Sequence, residues 1–197
     1  MASQKYGVLQ ERRKLVIVGD AMCGKTCLLF TFKDDQFVST SGITMLNKYQ
    51  KNVQIDEKII DFTFYDITGI EHYENFRALS YPDTNIILIC FSVDNPVSVT
   101  SITDRWIQEV RYFCNQCPVI LVACKKDLRT DPHVIARLKQ EGEKPVTTDI
   151  GGQLAIQIKA DAYMECSAKT REGIQDLFVH AARLSLKKRS RRECILC

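Results

Sequence analysis

The stretch Gly19-Asp20-Ala21-Met22-Cys23-Gly24-Lys25-Thr26 directly follows the apolar run Lys14-Leu15-Val16-Ile17-Val18 and precedes Cys27-Leu28-Leu29-Phe30-Thr31-Phe32-Lys33. The run before it reads as a buried strand and the segment after it as a helix, the setting that a G-x-x-x-x-G-K-[ST] phosphate loop requires. In such a loop the glycines let backbone N–H groups curl around phosphate oxygens, and the helix N-terminus adds its positive dipole end. The phosphate cradle is therefore expected from Ala21, Met22, Cys23, Gly24, Lys25, Thr26 and Cys27. Lys25 would reach the β- and γ-phosphates as a catalytic and binding residue, and Thr26 would offer its hydroxyl to Mg²⁺.

Working outward, 197 residues at 45% hydrophobic content suit one α/β domain. The apolar segments Asn85–Val93 and Pro118–Cys124 read as strands buried on both faces, as in a mostly parallel sheet. Val53–Asp56 and Ile59–Tyr65 read as a hairpin around a tight polar turn. Val97–Cys114 is helical in pattern, with Trp106 on its core face. A short helix can begin at Pro132, Ala162–Cys166 is a last strand, and Ile174 to Leu184 marks a final amphipathic helix. Strands alternating with helices predict a single doubly wound α/β sheet with its ligand site outside the carboxyl ends of the strands. Residues 1–13 are expected to be a flexible extension, 14–186 the domain, and 187–197 a tail.

The formal charge of +3 is concentrated in that tail, since Lys187 to Glu193 holds five basic residues and one acidic one. No apolar leader precedes Arg13 and no apolar run is long enough to span a bilayer, so a soluble intracellular protein is expected. Nucleic-acid binding is disfavoured because the basic residues do not continue onto the body. Nine cysteines in that setting are expected to be thiols rather than a disulfide framework. Cys114-x-x-Cys117 lacks a second pair at zinc spacing.

Two further motifs sit at strand ends. Asp66-x-x-Gly69 can bring a carboxylate to Mg²⁺, directly or through water, and a glycine N–H to the terminal phosphate. Lys125-x-Asp127 carries specificity: guanine presents N1–H and N2–H₂ on one edge, and one carboxylate can accept both, whereas adenine offers no such pair. Asp127 thus favours GTP over ATP, and an ATP-using kinase is further disfavoured by the lack of a lid segment.

With these motifs in place, and with Leu79-Ser80-Tyr81-Pro82-Asp83, Lys125-Lys126-Asp127-Leu128 and Met164-Glu165-Cys166-Ser167-Ala168-Lys169 in matching order, the chain resembles Rho-family members of the Ras-like small GTPases from Lys14 to the C-terminus. The segment 128–144 matches in position the helical insert of Rho proteins. The resemblance implies that Phe37 packs on the guanine edge and that Thr44 binds Mg²⁺ and senses the γ-phosphate. It also implies that Ser167, Ala168 and Lys169 meet the guanine O6 while Lys125 lies along the base. Residues 37–49 and 69–82 would be the two switches, ordered by the γ-phosphate.

The implied partners are effectors, with actin regulators among them, exchange factors and dissociation inhibitors, and the protein would act as a monomer. Cys194-Ile195-Leu196-Cys197 fits C-a-a-X, with Cys194 as prenyl acceptor and the basic tail as a second membrane signal at the cytoplasmic face.

Departures from the family pattern converge on hydrolysis. Ile70 stands where the family has the glutamine that orients the attacking water. Ala21 replaces a loop glycine that leaves space for that glutamine and for an activator's arginine. Glu71 or His72 offers a rescue route for orienting the water. Cys124 replaces the Asn or Thr that ties the base-side loops together, and a thiol is a weaker donor and acceptor. Switch I, Ser41 to Lys48, lacks the usual aromatic, Pro and acidic residues, so effector choice does not carry over. Cys23, next to a helix N-terminus, is a candidate redox thiol, with an inert packed cysteine as the alternative. The expected activity is slow GTP hydrolysis, or else an essentially non-hydrolysing, GTP-bound module.

Overall fold

The apolar runs 86–91 and 119–123 are buried along their whole length, and the sheet they help to build takes apolar cover on both faces. The computed structural model describes residues 10–39 and 44–187. The expectations for Ser41, Gly42 and the lipid acceptor Cys194 lie outside the described residues.

Six strands, β1 (Gln10–Gly19), β2 (Leu46–Ile55), β3 (Lys58–Ile67), β4 (Ile86–Ser92), β5 (Val119–Cys124) and β6 (Ala162–Glu165), form one sheet in the order β2-β3-β1-β4-β5-β6. All neighbouring pairs are parallel except β2 with β3. The doubly wound sheet is as the strand and helix alternation predicts.

The helices are α1 (Lys25–Asp34), α2 (Glu74–Ala78), α3 (Val97–Ser101), α4 (Ile107–Phe113), α5 (Pro132–Gln140), α6 (Thr148–Gln157) and α7 (Ile174–Leu186). One face of the sheet is covered by α1 and α7, where Phe32 stacks on Phe178 with ring centroids 3.8 Å apart. The opposite face is covered by Trp106, Val110, Leu154 and their neighbours. α5 starts at Pro132 as expected. Its cap is Asp131, whose side chain accepts from the N–H groups of His133 and Val134.

Four local readings change. β1 begins at Gln10 and pairs with β3 from Ile59 onward, so residues 10–13 are strand rather than extension. The hairpin is longer than expected and runs from Leu46 to Ile67. The helix predicted over Val97–Cys114 contains one π turn, Ile102–Trp106, between α3 and α4. α6 was not foreseen: its Gly151-Gly152 pair weakens helix propensity. Gly151 is nevertheless required there, because an added Cβ would stand 2.0 Å from the Tyr163 hydroxyl.

A buried ion pair fixes the segment after β3. Arg77 and Glu109 are joined by two hydrogen bonds of 2.8 and 2.7 Å, and Tyr81 donates its hydroxyl to Glu109 at 2.6 Å. The Arg77 side chain is fully enclosed and lies 5.0 Å from the Trp106 ring centre. Removing one partner leaves an uncompensated buried charge. Glu109→Ala is therefore expected to lower stability by about 3–5 kcal/mol, read from urea unfolding midpoints, while an exposed pair such as Arg137 with Glu141 should contribute under about 1 kcal/mol.

Candidate functional site

β1, β3, β4 and β5 all deliver their carboxyl ends to one edge of the sheet, and the predicted motifs meet there. The loop after β1 turns so tightly that Gly19 adopts a φ of 140°, and a Cβ on it would come within 2.2 Å of the Cys90 carbonyl oxygen. α1 then points its N-terminus into the loop. Lys25 is buried, and its Nζ turns back to donate to the carbonyls of Gly19 at 2.8 Å and Asp20 at 2.6 Å. The ammonium therefore stands inside the curl of the loop, where a phosphate oxygen would meet it.

Three oxygen donors gather beside it. The hydroxyls of Thr26 and Thr44 lie 2.9 Å apart, although 18 residues separate them. Asp66, near the end of β3, is fully buried, and neither carboxylate oxygen makes a hydrogen bond of normal geometry. Burial pushes its carboxyl up to about 6, against the pull of the Thr26 hydroxyl and the Lys25 charge. A buried carboxylate with both oxygens unsatisfied is costly. Hard oxygen donors with a buried negative charge are the donor set that suits Mg²⁺, so the residues present fit that ion.

Gly69 packs directly on the phosphate loop, since a Cβ there would lie 2.3 Å from the Ala21 backbone nitrogen. Any side chain would force the two loops apart. Ile70 follows, with its N–H donating to the Thr68 hydroxyl at 3.2 Å. Its carbonyl accepts from Arg77 at 2.6 Å and from Arg105 at 3.2 Å.

The base-side loops close the other end. Asp127 accepts a 2.5 Å hydrogen bond from the Ser167 hydroxyl, and the Lys126 N–H donates to the Cys166 carbonyl at 3.0 Å. Lys125 has a left-handed backbone, φ 58°, and its Nζ reaches Asp94 at 3.3 Å. The Lys125 stem passes over Gly24.

A cavity of about 380 Å³ runs between these groups. Of the residues expected to contact nucleotide, Ala21, Met22, Gly24, Lys25, Thr26, Cys27, Phe37, Thr44, Gly69, Lys125, Asp127, Ala168 and Lys169 line it. Cys23, Asp66 and Ser167 lie behind that surface, all of them buried. Ile70 and Cys124 face the cavity, whereas Glu71 and His72 are exposed on the 3₁₀ turn Glu71–Tyr73 and are not among its lining residues. The geometry gives the rescue route through them no support. Cys23 is enclosed, and burial pushes its thiol up to about 11, which favours the inert alternative.

Sequence reasoning placed Trp106 in the core and missed its second role. Its indole N–H donates to the Asp20 carboxylate in the phosphate loop at 2.7 Å, across 86 residues of chain. Arg105 lies 4.2 Å from the same ring centre, so the π turn links the phosphate loop to Ile70. The only local signal for this was the pairing of a Trp with an adjacent Arg.

Comparison with known proteins agrees with this geometry. The Ras family model matches residues 14–187. The chain is 48% identical over 191 residues to the Rho-related GTP-binding protein RhoB of Homo sapiens, covering 94% of this chain and 96% of that protein. It is 46% identical over 194 residues to the GTP-binding protein RHO1 of Candida albicans, covering 96% and 98%, and 48% identical over 180 residues to RHO1 of Saccharomyces cerevisiae, covering 91% and 86%. The chain belongs to the Ras family, within its Rho branch.

Proposed function

We propose that this protein is a GTP-binding switch whose hydrolysis is slow and poorly stimulated by activating proteins, and that it works at the cytoplasmic membrane face. The observation that carries the reading is the cavity itself, which brings Lys25 and Thr26 at one end into the same space as Asp127 and Lys169 at the other. That span suits a nucleoside triphosphate, with Asp127 selecting guanine. Similarity to RhoB and RHO1, both named as GTP-binding proteins, supports the same ligand.

Thr26 and Thr44 would hold Mg²⁺, with Asp66 as the buried countercharge. The ion's contribution is to neutralise charge developing on the phosphate oxygens. The chain's own part is to position the phosphates with Lys25 and the loop N–H groups, and to order residues 37–49 through Thr44 when the γ-phosphate is present.

Hydrolysis needs a water oriented in line, and Ile70 presents no polar side-chain atom for that task. Its backbone carbonyl is already occupied by Arg77 and Arg105. Ala21 lines the cavity beside it. These observations also favour a second reading, a GTP-loaded binding module that essentially does not turn over and is controlled by abundance or location.

The exposed side chains of Met45, Leu46, Tyr73 and Leu79 lie in the two switch segments and would meet effectors, with actin regulators, exchange factors and dissociation inhibitors as the partner classes. The tail would add a prenyl chain at Cys194 and five basic residues, each worth about 1 kcal/mol near an anionic leaflet.

Single-turnover hydrolysis of GTP tests the activity. The expected rate lies below the roughly 10⁻⁴ to 10⁻³ s⁻¹ of intrinsic small-GTPase hydrolysis, with little gain from a Rho activating protein. Ile70→Gln combined with Ala21→Gly should restore both. Ordinary rates in the unmodified protein would overturn the reading. Chelation of Mg²⁺ should speed GDP release in the unmodified protein, and Thr26→Ala should blunt that sensitivity. Cys194→Ser should move the protein from the membrane to the soluble fraction of lysed cells without changing GTP affinity.

A further inference from the structure

Four thiols meet beneath the phosphate loop. Cys23, Cys90, Cys124 and Cys166 belong to one buried apolar cluster, and two of them, Cys124 and Cys166, also line the cavity. None of the four carries a disulfide. Cys124 is the last residue of β5, and Cys166 directly follows β6. The parallel register pairs Ala123 with Glu165, the residues immediately before them. The Cys166 N–H donates to the Ala123 carbonyl at 2.9 Å, and the Cys166 carbonyl accepts from the Lys126 N–H at 3.0 Å. The backbone of Cys166 thus brackets Cys124 from both sides. Neighbouring strands lie about 4.8 Å apart, within the Cα separation that a disulfide spans.

The four sulfurs are not equivalent. Hydrogen bonds from Cys166 and Cys90, with the nearby charges of Lys25 and Lys125, hold the Cys124 thiol well below its ordinary range. Burial raises Cys23 and Cys90, and hydrogen bonding to Cys124 together with burial raises Cys166. Of the four, Cys124 and Cys166 line the cavity and are reached from it, and Cys124 is the one whose neighbours favour the thiolate.

We propose that Cys124 and Cys166 form an intramolecular disulfide on exposure to hydrogen peroxide, covalently tying together the two loops that close the base end of the cavity. The Cys124 thiolate attacks one peroxide oxygen, the O–O bond breaks and hydroxide leaves, giving a sulfenic acid at Cys124. The Cys166 sulfur then attacks the Cys124 sulfur. The S–S bond forms as the S–O bond breaks, and the departing hydroxyl leaves as water with the Cys166 proton. Two thiols lose two electrons in all and one peroxide becomes two waters, the hydroxide of the first step taking up the proton that Cys124 released. A small-molecule dithiol reverses the step by thiol–disulfide exchange.

In the reduced protein, Lys125–Asp127 and Ser167–Lys169 are tied by the Ser167 to Asp127 and Lys126 to Cys166 hydrogen bonds. A covalent bond at their roots limits their separation, and nucleotide leaves only when they part. Oxidation therefore slows GDP release. This consequence rests on the proposed guanine-nucleotide site, whereas disulfide formation does not.

The test treats the full-length protein with hydrogen peroxide at limiting nucleotide, then maps unreduced peptides by mass spectrometry. The expected product is a Cys124–Cys166 crosslinked peptide, protected by excess GDP and lost on adding dithiothreitol. Cys166→Ala should instead accumulate a Cys124 sulfenic acid that dimedone traps. Release of a fluorescent GDP should slow severalfold after peroxide in the unmodified protein and not in Cys166→Ala. Oxidation confined to other cysteines in the unmodified protein, or a crosslink that leaves GDP release unchanged, would overturn the proposal. Failure of the untreated protein to bind GDP would refute the nucleotide site and leave the crosslink to be judged by mass alone.

Discussion

Two opposite charges enclosed under one loop set the terms for the rest of the molecule. The Lys25 ammonium donates to the carbonyls of Gly19 and Asp20, while neither oxygen of the buried Asp66 carboxylate has a hydrogen bond of normal geometry. Burying charge without pairing it is among the most costly arrangements a fold can hold. An anionic ligand carrying a divalent cation would satisfy both groups at once. The tight backbone at Gly19, the contact of Gly69 on Ala21 and the paired hydroxyls of Thr26 and Thr44 all serve that arrangement.

Holding phosphate and breaking it make different demands. Holding requires backbone N–H groups, an ammonium and hard oxygens, and the chain supplies each from residues fixed by strand ends. Breaking requires a polar group aimed at a water and space for an activator's arginine. Ile70 and Ala21 line the cavity, at the positions where the proposed function would need those features. The clasp of Arg77, Glu109, Arg105 and Trp106 further constrains the backbone around Ile70, linking that segment to Asp20 in the phosphate loop. On the proposed reading, the site grips its ligand more completely than it consumes it.

The parts of this account legible in the sequence are those carried by contiguous residues. The phosphate loop, Asp66-x-x-Gly69 and Lys125-x-Asp127 each begin at or next to the end of a strand, so motif and context lie within a dozen residues. The central strands β4 and β5 are buried along their whole length, which is why continuous apolar runs marked them. What stayed hidden depends on distance or compensation. The Trp106 to Asp20 bond joins residues 86 apart, and the Arg77 to Glu109 pair spans 32. α6 was obscured by Gly151, which packing against Tyr163 demands and helix propensity disfavours. Gln10 to Arg13 is too polar to read as strand, and it became one because β3 offered a backbone edge.

The central claim, a guanine site that binds firmly and turns over slowly, is tested most directly by the nucleotide that copurifies with the protein. Chromatography of the small molecules released on denaturing freshly purified protein should find guanine nucleotide near one equivalent, with GTP in excess of GDP. GDP alone would contradict slow turnover, and adenine nucleotide would contradict the reading of Asp127.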